Sequence, residues 1–396
     1  MRIVQTVFGV FHHFELARQL SQRGHLQKIY STWPHMRVKR EGLSRNLVAT
    51  FPWIHTTEML MLRMRISNPY LFDQTSYANA IVFDWWTASQ VRKGPAPDAL
   101  VGISGSSLKT GQELQARGGK FICDRGSSHQ RYQERIVADE YQRWGVSRSV
   151  TDIRDIVREE KIYAVADAIT VPSAFAARSF VEEGVPAEKL RVIPYGVRLE
   201  QFVRTGAPPD SNSNSNSKAQ FEVLFAGSVG LRKGVPYLLQ AFARLQHPRK
   251  RLRIAGPVLP DIQTVLGRLP QENVEMLGSV TQSRLADLMS TSHVMVLPSI
   301  EEGLALVQGQ ALACGCPVLA STNTGGEDLF TDGVEGFIVP VRDVEALTDR
   351  MQRLADDPAL QQRMSEAALR RVRLIGGWSQ YGDKWESLLR ELTGKT

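Results

Sequence analysis

Short apolar runs alternate with amphipathic stretches along most of this chain, and the alternation constrains the fold more than any other feature. In the first half, the apolar runs predict buried strands at residues 3–7, 99–103, 121–123, 168–171 and 191–193. Apolar residues at helical spacing lie between some of these runs, as at 15–23 and 157–166. Because strands that alternate with helices pair in parallel, we expect an α/β fold with a parallel sheet.

The second half repeats this pattern after a polar segment. Its predicted strands are at residues 222–225, 251–255, 274–276, 294–297 and 317–320. Residues 205–218 are rich in Ser, Asn and Pro and too polar to bury a core, so they indicate an exposed linker. A chain of 396 residues also exceeds one ordinary core. We predict a first domain at 1–204, the linker at 205–218, a second domain at 219–376 and a terminal helix at 377–396.

Composition narrows the class of protein. With 42% hydrophobic and 22% charged residues, the chain is typical of a globular protein. No apolar run approaches the roughly 20 residues that a membrane-spanning helix needs, and the N-terminus lacks the apolar stretch of a signal peptide, so we expect a cytoplasmic protein. Cys123, Cys314 and Cys316 have no metal-ligand spacing and predict neither a zinc site nor a disulfide framework.

Basic residues are concentrated in the first half. Residues 1–204 hold 28 Lys and Arg against 20 Asp and Glu, whereas residues 205–396 hold 20 against 21. Within 37–65, cations and large apolar residues are interleaved. Such a mixture can lie on an anionic membrane surface, but it equally describes a solvated face above a core. The sequence matches no nucleic-acid-binding module, so we expect no nucleic-acid partner.

Two strand–loop–helix segments of the second half carry candidate binding residues. Residues 294–313 predict a buried strand, a loop with Glu302 and Gly303, and a helix. Residues 222–245 predict a strand, the loop Gly-Ser-Val-Gly-Leu-Arg-Lys-Gly at 227–234, and a helix. Ligands of α/β sheets bind at such strand ends, and a glycine-bearing loop that opens a helix presents N–H groups to an anion. Arg232 and Lys233 would add positive charge, unless both are solvated surface residues.

Both loops resemble the signatures of family 4 glycosyltransferases of the GT-B fold. The usual form of one signature is Glu-Gly-Phe-Gly, with a second Glu eight positions after the first. Glu302 matches the first Glu, whereas Gln310 occupies the second position. The resemblance continues at 317–321 and 332–336 and covers most of residues 160–390. It implies two Rossmann-like domains, a cleft between them and a C-terminal helix that crosses back onto the first domain.

The resemblance also implies a reaction. A retaining glycosyltransferase of this kind would move a hexosyl group from a UDP-, GDP- or ADP-sugar to a hydroxyl acceptor. The patch at 37–65 and the basic first half, rather than the resemblance, suggest a lipid, a lipid-linked sugar or a polysaccharide precursor as the acceptor, and a cytoplasmic protein that can bind the inner face of the membrane. Arg232 and Lys233 would stabilise the leaving diphosphate without a metal or other cofactor, in agreement with the lack of an Asp-x-Asp pair. The alternative is a non-catalytic sugar-nucleotide-binding protein, which Gln310 and the single Gly9 suggest.

The donor site follows from the same resemblance. Glu302 would accept hydrogen bonds from hydroxyls of the donor sugar, and Gln310 would face the ribose. The remaining predicted donor residues are Gly227, Ser228, Val280, Gly303, Leu304, Ala305 and Leu306. Gln310 keeps an acceptor oxygen but loses the charge, which weakens the ribose contact; it could also be an exposed helix residue. We expect the neighbouring Glu301 to face solvent.

The acceptor side is predicted in two places. After the first strand the family carries glycines and a His, and here Gly9 and His13 occupy that region, although His12 and His13 could be helix-cap or interface residues. After the strand at 121–123, His129 would orient or deprotonate the acceptor hydroxyl. Asp124 and Arg125 would lie beside the acceptor, or else form a structural ion pair.

Overall fold

The first domain is built on one parallel sheet. The computed structural model describes residues 1–9, 12–53, 60–61, 63–64, 69–147, 151–206 and 220–395. The strands are β1 (Ile3–Val7), β2 (Leu26–Ser31), β3 (Val48–Thr50), β4 (Ala99–Ile103), β5 (Lys120–Asp124), β6 (Ala168–Val171) and β7 (Leu190–Val192). All pairs are parallel, in the order β3-β2-β1-β4-β5-β6-β7.

Helices connect these strands, as parallel pairing requires. They are α1 (His12–Gln22), α2 (His35–Val38), α3 (Pro69–Lys93), α4 (Leu108–Gln115), α5 (Gln130–Arg143), α6 (Ile153–Val165) and α7 (Ala174–Glu182). Helix α1 has an amphipathic pattern, and its residues Phe14, Leu16, Ala17 and Leu20 are buried. None of the helices in the described ranges is both long and apolar enough to cross a bilayer.

The second domain repeats the design with six strands. They are β8 (Phe221–Ala226), β9 (Lys250–Ala255), β10 (Val274–Gly278), β11 (Val294–Leu297), β12 (Val318–Ser321) and β13 (Gly336–Val339), in the order β10-β9-β8-β11-β12-β13. The helices are α8 (Val235–Arg244), α9 (Gln263–Leu266), α10 (Gln282–Ser290), α11 (Leu306–Ala313), α12 (Val344–Asp356), α13 (Pro358–Ile375) and α14 (Trp378–Thr393).

Strand order places a ligand crevice in each domain. The order reverses between β1 and β4 in the first sheet and between β8 and β11 in the second. At such a point the connections leave in opposite directions and open a crevice at the carboxyl ends of the strands. The central strand β11 is completely buried because helices cover both faces of the sheet, which explains its unbroken apolar sequence.

The terminal helix α14 packs on the first domain, as expected. Arg23 of the first domain donates to Asp383 at 2.5 Å, and His25 lies 3.0 Å from Glu386. The rings of Tyr381 and Trp385, two residues of α14, are buried. The second domain is therefore tied to the first through a helix that lies outside both sheets.

Each strand predicted from the sequence is present, with bounds within two residues. The prediction missed β2, β3, β13 and the 25-residue helix α3. Strand β3 has three residues, too few to show a period, and Gln and Lys interrupt the apolar pattern of β2. The predicted linker lies mostly outside the described residues; at its start, Thr205 donates to Asp287 at 2.7 Å and so packs on the second domain.

Candidate active site

A cavity of about 510 Å³ lies between the two domains, where the crevices of the two sheets meet. Loops that follow β1, β4 and β5 form one wall, and loops that follow β8 and β11 form the other. The lining side chains with polar groups are His12, His13, Ser104, Arg125, Ser127, Tyr195, Lys233 and Glu302. The two halves of the predicted site therefore face one space.

Lys233 and Glu302 form an ion pair on the second-domain wall. Their side chains are 18% and 12% exposed, so the pair is largely shielded from water. The backbone here requires glycine: Gly234 has φ +67°, and a Cβ on it would lie 1.9 Å from the carbonyl oxygen of Pro298. This close packing fixes Lys233 immediately before helix α8, beside the N–H groups that open the helix.

Arg232 points to a different partner. Its Nη1 donates to the carbonyl oxygen and to a carboxylate oxygen of Glu301, each at 3.1 Å. Arg232 is not part of the cavity wall, although its neighbour Lys233 is. The structure thus brings Lys233 and Glu302 together in the cavity and places Arg232 behind them.

The expectation that Glu301 faces solvent is wrong. Glu301 is completely buried and accepts hydrogen bonds from Ser127, Ser128 and Gln133 of the first domain. Burial raises the pKa of its carboxyl, but the charge of Arg232 and the serine hydroxyls outweigh burial and hold the pKa below its usual range. The sequence could not show this, because the serines are far away in the chain.

The other predicted donor residues divide into two groups. Gly227, Leu304, Ala305 and Leu306 line the cavity. Gln310 lines an adjoining cavity of about 330 Å³, which shares His12 and Leu306 with the first. Neither Ser228 nor Val280 lines either cavity, and Val280 packs against the main apolar core.

Gly303 of the second domain packs tightly against the backbone of the first domain. A Cβ there would lie 2.1 Å from the carbonyl oxygen of Gly126 and 2.6 Å from the Cα of Ser127. The carbonyl oxygen of Gly303 also accepts a hydrogen bond from Ser173. Because no larger residue fits, the glycine of the Glu-Gly pair serves domain contact as well as the loop itself.

The first-domain wall contains a buried cluster of His12, His13 and Asp124. The Nε2 atoms of His12 and His13 lie 3.0 and 3.2 Å from one oxygen of Asp124, and Thr170 donates to the other oxygen at 2.8 Å. Burial lowers the pKa of His12, and the neighbouring His13 lowers it further. Although burial opposes it, the facing His12 holds the pKa of Asp124 well below its usual range. The cluster therefore holds an ionised carboxylate and a neutral His12.

Asp124 and Arg125 do not form the ion pair that we considered. Arg125 instead pairs with Glu159 at 3.2 Å and donates to Gln130 and Gln133. Gly9 has φ +79°, which suits glycine in the turn after β1, and its N–H donates to Thr32 at 3.3 Å. Residues 10 and 11 lie outside the described ranges.

The structure places His129 away from the cavity. Its side chain caps helix α5 by accepting from the N–H of Arg131 at 3.2 Å, and its ring packs against Tyr163 and Phe180. Burial lowers the pKa of His129 to about 4. The structure thus gives His129 a capping role before α5 and does not place it on the cavity wall, and its predicted contact with the acceptor stays a prediction. His12, which the sequence left as a possible cap, lines the cavity instead.

Among the described residues, one group of three side chains could hold a metal ion, namely His12, His13 and Asp124, whose ligand atoms lie within 4.8 Å of one another. Nε2 of His12 makes a hydrogen bond with Asp124, whereas Nε2 of His13, 3.2 Å from the same oxygen, makes none. That the reaction needs no metal stays a prediction.

Comparison with known proteins agrees with the geometry of the site. Residues 208–371 match the family of glycosyl transferases group 1. This match covers the second domain of the chain. The D-inositol 3-phosphate glycosyltransferase of Streptomyces bingchenggensis is 30% identical over 246 residues, which cover 56% of this chain and 52% of that protein. The alpha-D-kanosaminyltransferase of Streptomyces kanamyceticus is 29% identical over 175 residues, 43% of this chain and 45% of that protein.

The chain spans about half the length of these curated relatives. Solved structures match over the whole chain. Sucrose-phosphate synthase from Thermosynechococcus elongatus has a TM-score of 0.70 at 18% identity and covers 100% of both chains. Anabaena HepE in complex with UDP has a TM-score of 0.68 at 15% identity and covers 99% of this chain and 100% of that one. These likenesses establish the GT-B fold.

Proposed function

We propose that the protein is a retaining glycosyltransferase that moves a hexosyl group from a nucleoside diphosphate sugar to a hydroxyl acceptor. One observation carries the proposal: the Lys233–Glu302 pair of one domain lines the same cavity as His12 of the other domain, whose ring is held by the buried Asp124. A transferase needs both a donor and an acceptor side, and the arrangement offers one from each domain. The relative of known fold that binds UDP supports a nucleotide donor.

The second-domain wall supplies the donor side. Lys233 lies at the N-terminal end of α8, where N–H groups and the helix dipole favour an anion. A diphosphate gains negative charge as the glycosidic bond breaks, so a fixed cation at this point stabilises the transition state more than the ground state. Lys233 also holds Glu302, whose carboxylate would accept hydrogen bonds from the hexose.

The first-domain wall supplies the acceptor side, with His12 in the role first assigned to His129. When Nε2–H of His12 donates to Asp124, Nδ1 is left as an acceptor. Since burial lowers its pKa, His12 is neutral at pH 7 and can accept a hydrogen bond from the attacking hydroxyl. Asp124 fixes the tautomer and the orientation of the ring.

Retention is proposed without a covalent intermediate. Among the described residues, Glu302 is the one carboxylate on the cavity wall, and it is bound to Lys233. As the bond from the sugar carbon to the phosphate breaks and the bond to the acceptor oxygen forms, the hydroxyl that His12 had oriented would turn its proton to the departing phosphate, so that neither a protein nucleophile nor a metal is required. Arg232 would contribute through Glu301 and the charge of the loop.

A membrane lipid or lipid-linked sugar is the acceptor class that the surface supports best. Met36, Trp53, Leu60 and Met64 of the first domain are 55–89% exposed. Lys39 and Arg45 line a surface cavity close to Met36, so apolar and basic groups are adjacent. Such a surface suits peripheral binding to an anionic bilayer. Residues 54–59, 62 and 65 of the predicted patch lie outside the described ranges.

Donor hydrolysis tests the activity. The purified protein would be incubated with UDP-, GDP- and ADP-hexoses, with and without EDTA, and the free sugar would be measured. We expect slow release of sugar from one nucleotide class, with the same rate in EDTA and the α-configured product first. Release that needs a divalent ion would contradict metal independence. A rise in thermal stability with a sugar nucleotide, but no hydrolysis or transfer, would favour the non-catalytic alternative.

A further inference from the structure

Glu301 is a buried carboxylate whose two oxygens bind groups on both domains. Oε1 accepts from Ser127 Oγ at 2.6 Å and from Ser128 Oγ at 2.7 Å, both in the first domain. Oε2 accepts from Gln133 Nε2 of the first domain at 2.8 Å and from Arg232 Nη1 of the second at 3.1 Å. A completely buried charge with this many donors is costly to separate from any of them.

Of the first-domain donors, Ser127 and Ser128 belong to the loop after β5, part of which lines the cavity, and Gln133 belongs to helix α5. Gly126 and Ser127 line the cavity, and their backbone lies directly against Gly303. Glu301 therefore holds this loop over the start of the Glu302–Gly303 segment. If the domains moved apart, the serine hydroxyls and Gln133 would withdraw together, and Glu301 would keep Arg232 alone.

The second-domain donor belongs to the anion-binding loop. Arg232 precedes Lys233, and the N–H of Ile300 donates to the carbonyl oxygen of Arg232 at 2.8 Å. A backbone hydrogen bond and the ion pair between Arg232 and Glu301 thus both connect the loop after β8 to the loop after β11. Because Arg232 contacts Glu301 directly, a change in the position of Arg232 also shifts Glu301.

We infer that Glu301 is a positioning residue that couples occupation of the donor loop to closure of the two domains. The inference rests on the proposed function for the identity of the donor. Arg232 on one side and the serine loop on the other compensate the charge of Glu301. Glu301 thereby positions both loops for the reaction but contacts neither substrate. A group bound at Lys233, the neighbour of Arg232 in the chain, and closure of the Ser127–Ser128 loop then favour each other.

Glu301→Gln tests the inference because it keeps the shape but removes the charge. Closure would be followed by the distance between fluorescent labels on the two domains, with UDP as the probe. In the unmodified protein we expect UDP to shorten the distance. In Glu301→Gln we expect the change to be lost and the Kd of UDP to rise about tenfold, as for loss of hydrogen bonds to a charged group.

The matched control is Glu327→Gln. It removes another carboxylate that bridges the domains, bound to Arg178 at 2.6 Å, but at an exposed position. We expect its UDP affinity to stay within about twofold of the unmodified protein. The double variant Ser127→Ala/Ser128→Ala, which leaves the buried charge in place, should weaken closure in the same direction and serves if Glu301→Gln does not fold.

These readouts do not depend on turnover. A protein that closes on UDP through Glu301 but transfers no sugar would contradict the proposed function and leave the inference standing. Normal closure and UDP affinity in Glu301→Gln, or in the serine variant if that is the one that folds, would overturn the inference. So would an equal loss in Glu327→Gln, because the effect would then follow from any bridge between the domains.

Discussion

The two walls of the cavity differ in the kinds of chemical group that form them. The second-domain wall consists of glycine turns, the N-terminal end of α8 and one ion pair, Lys233–Glu302. The first-domain wall is a buried side-chain cluster in which Asp124 orients His12. Backbone groups and a point charge suit a diphosphate, a group common to many donors, whereas an oriented imidazole suits one hydroxyl of a particular acceptor. Under the proposed function, the second-domain wall would be a general donor side and the first-domain wall a specific acceptor side.

The largest expected effect is on the second-domain wall. Lys233→Ala should lower kcat on the order of 10²- to 10³-fold, because it removes the cation that meets the developing charge of the diphosphate. Lys233→Arg should recover part of this loss. Steady-state kinetics with the preferred donor provide the measurement, and full activity in Lys233→Ala would show that the donor binds elsewhere.

The first-domain wall is tested by a pair of histidine variants. His12→Asn should lower kcat for acceptor transfer about 10²-fold and affect donor hydrolysis much less, since the imidazole serves the acceptor. His129→Asn keeps a side-chain oxygen that can cap α5 and should leave kcat within about twofold. In the unmodified enzyme, kcat/KM should fall only below pH 6.5, where the lowered pKa of His12 lies. The reverse ranking of the two variants would restore His129 to the site.

His129 should be visible in the stability of the fold rather than in catalysis. Its pKa is about 4 in the folded protein against 6.5 in the unfolded chain, so the unfolded chain binds more protons between these values. Stability should therefore fall as pH decreases from 6.5 to 4, by up to roughly 3 kcal/mol from this group. Urea unfolding across this range should show a flatter dependence in His129→Asn. If stability depends on pH equally steeply in His129→Asn and in the unmodified protein, a group other than His129 controls this dependence.

The smallest effect concerns the adjoining cavity. Gln310→Glu restores the charge that the resembled family carries and should lower the KM of the donor by a few fold, because a carboxylate accepts hydrogen bonds more strongly than an amide. The kcat should hardly change. The KM would be measured from saturation curves for the donor. A higher KM in Gln310→Glu would indicate that Gln310 does not face the ribose.

The sequence could indicate Lys233 and Glu302 as neighbours of one cavity because local patterns build this wall. A strand, a glycine loop and a helix follow one another in the chain, and this order alone brings Lys233 near a strand end. The first-domain wall depends on distant residues: Asp124 meets His12 across 112 positions. The sequence alone could not show that His129 caps α5, because a histidine just before a helix suits both a cap and a site residue. Glu301 was misplaced because its partners, Ser127 and Ser128, belong to the other domain.

The most direct test is a crystal structure of the protein with a bound nucleoside diphosphate. The account predicts that the diphosphate lies within hydrogen-bond distance of Lys233 Nζ and of N–H groups in the loop 227–234, on the side of the cavity that faces His12. A diphosphate bound outside the interdomain cavity, with Lys233 remote from its phosphates, would contradict it.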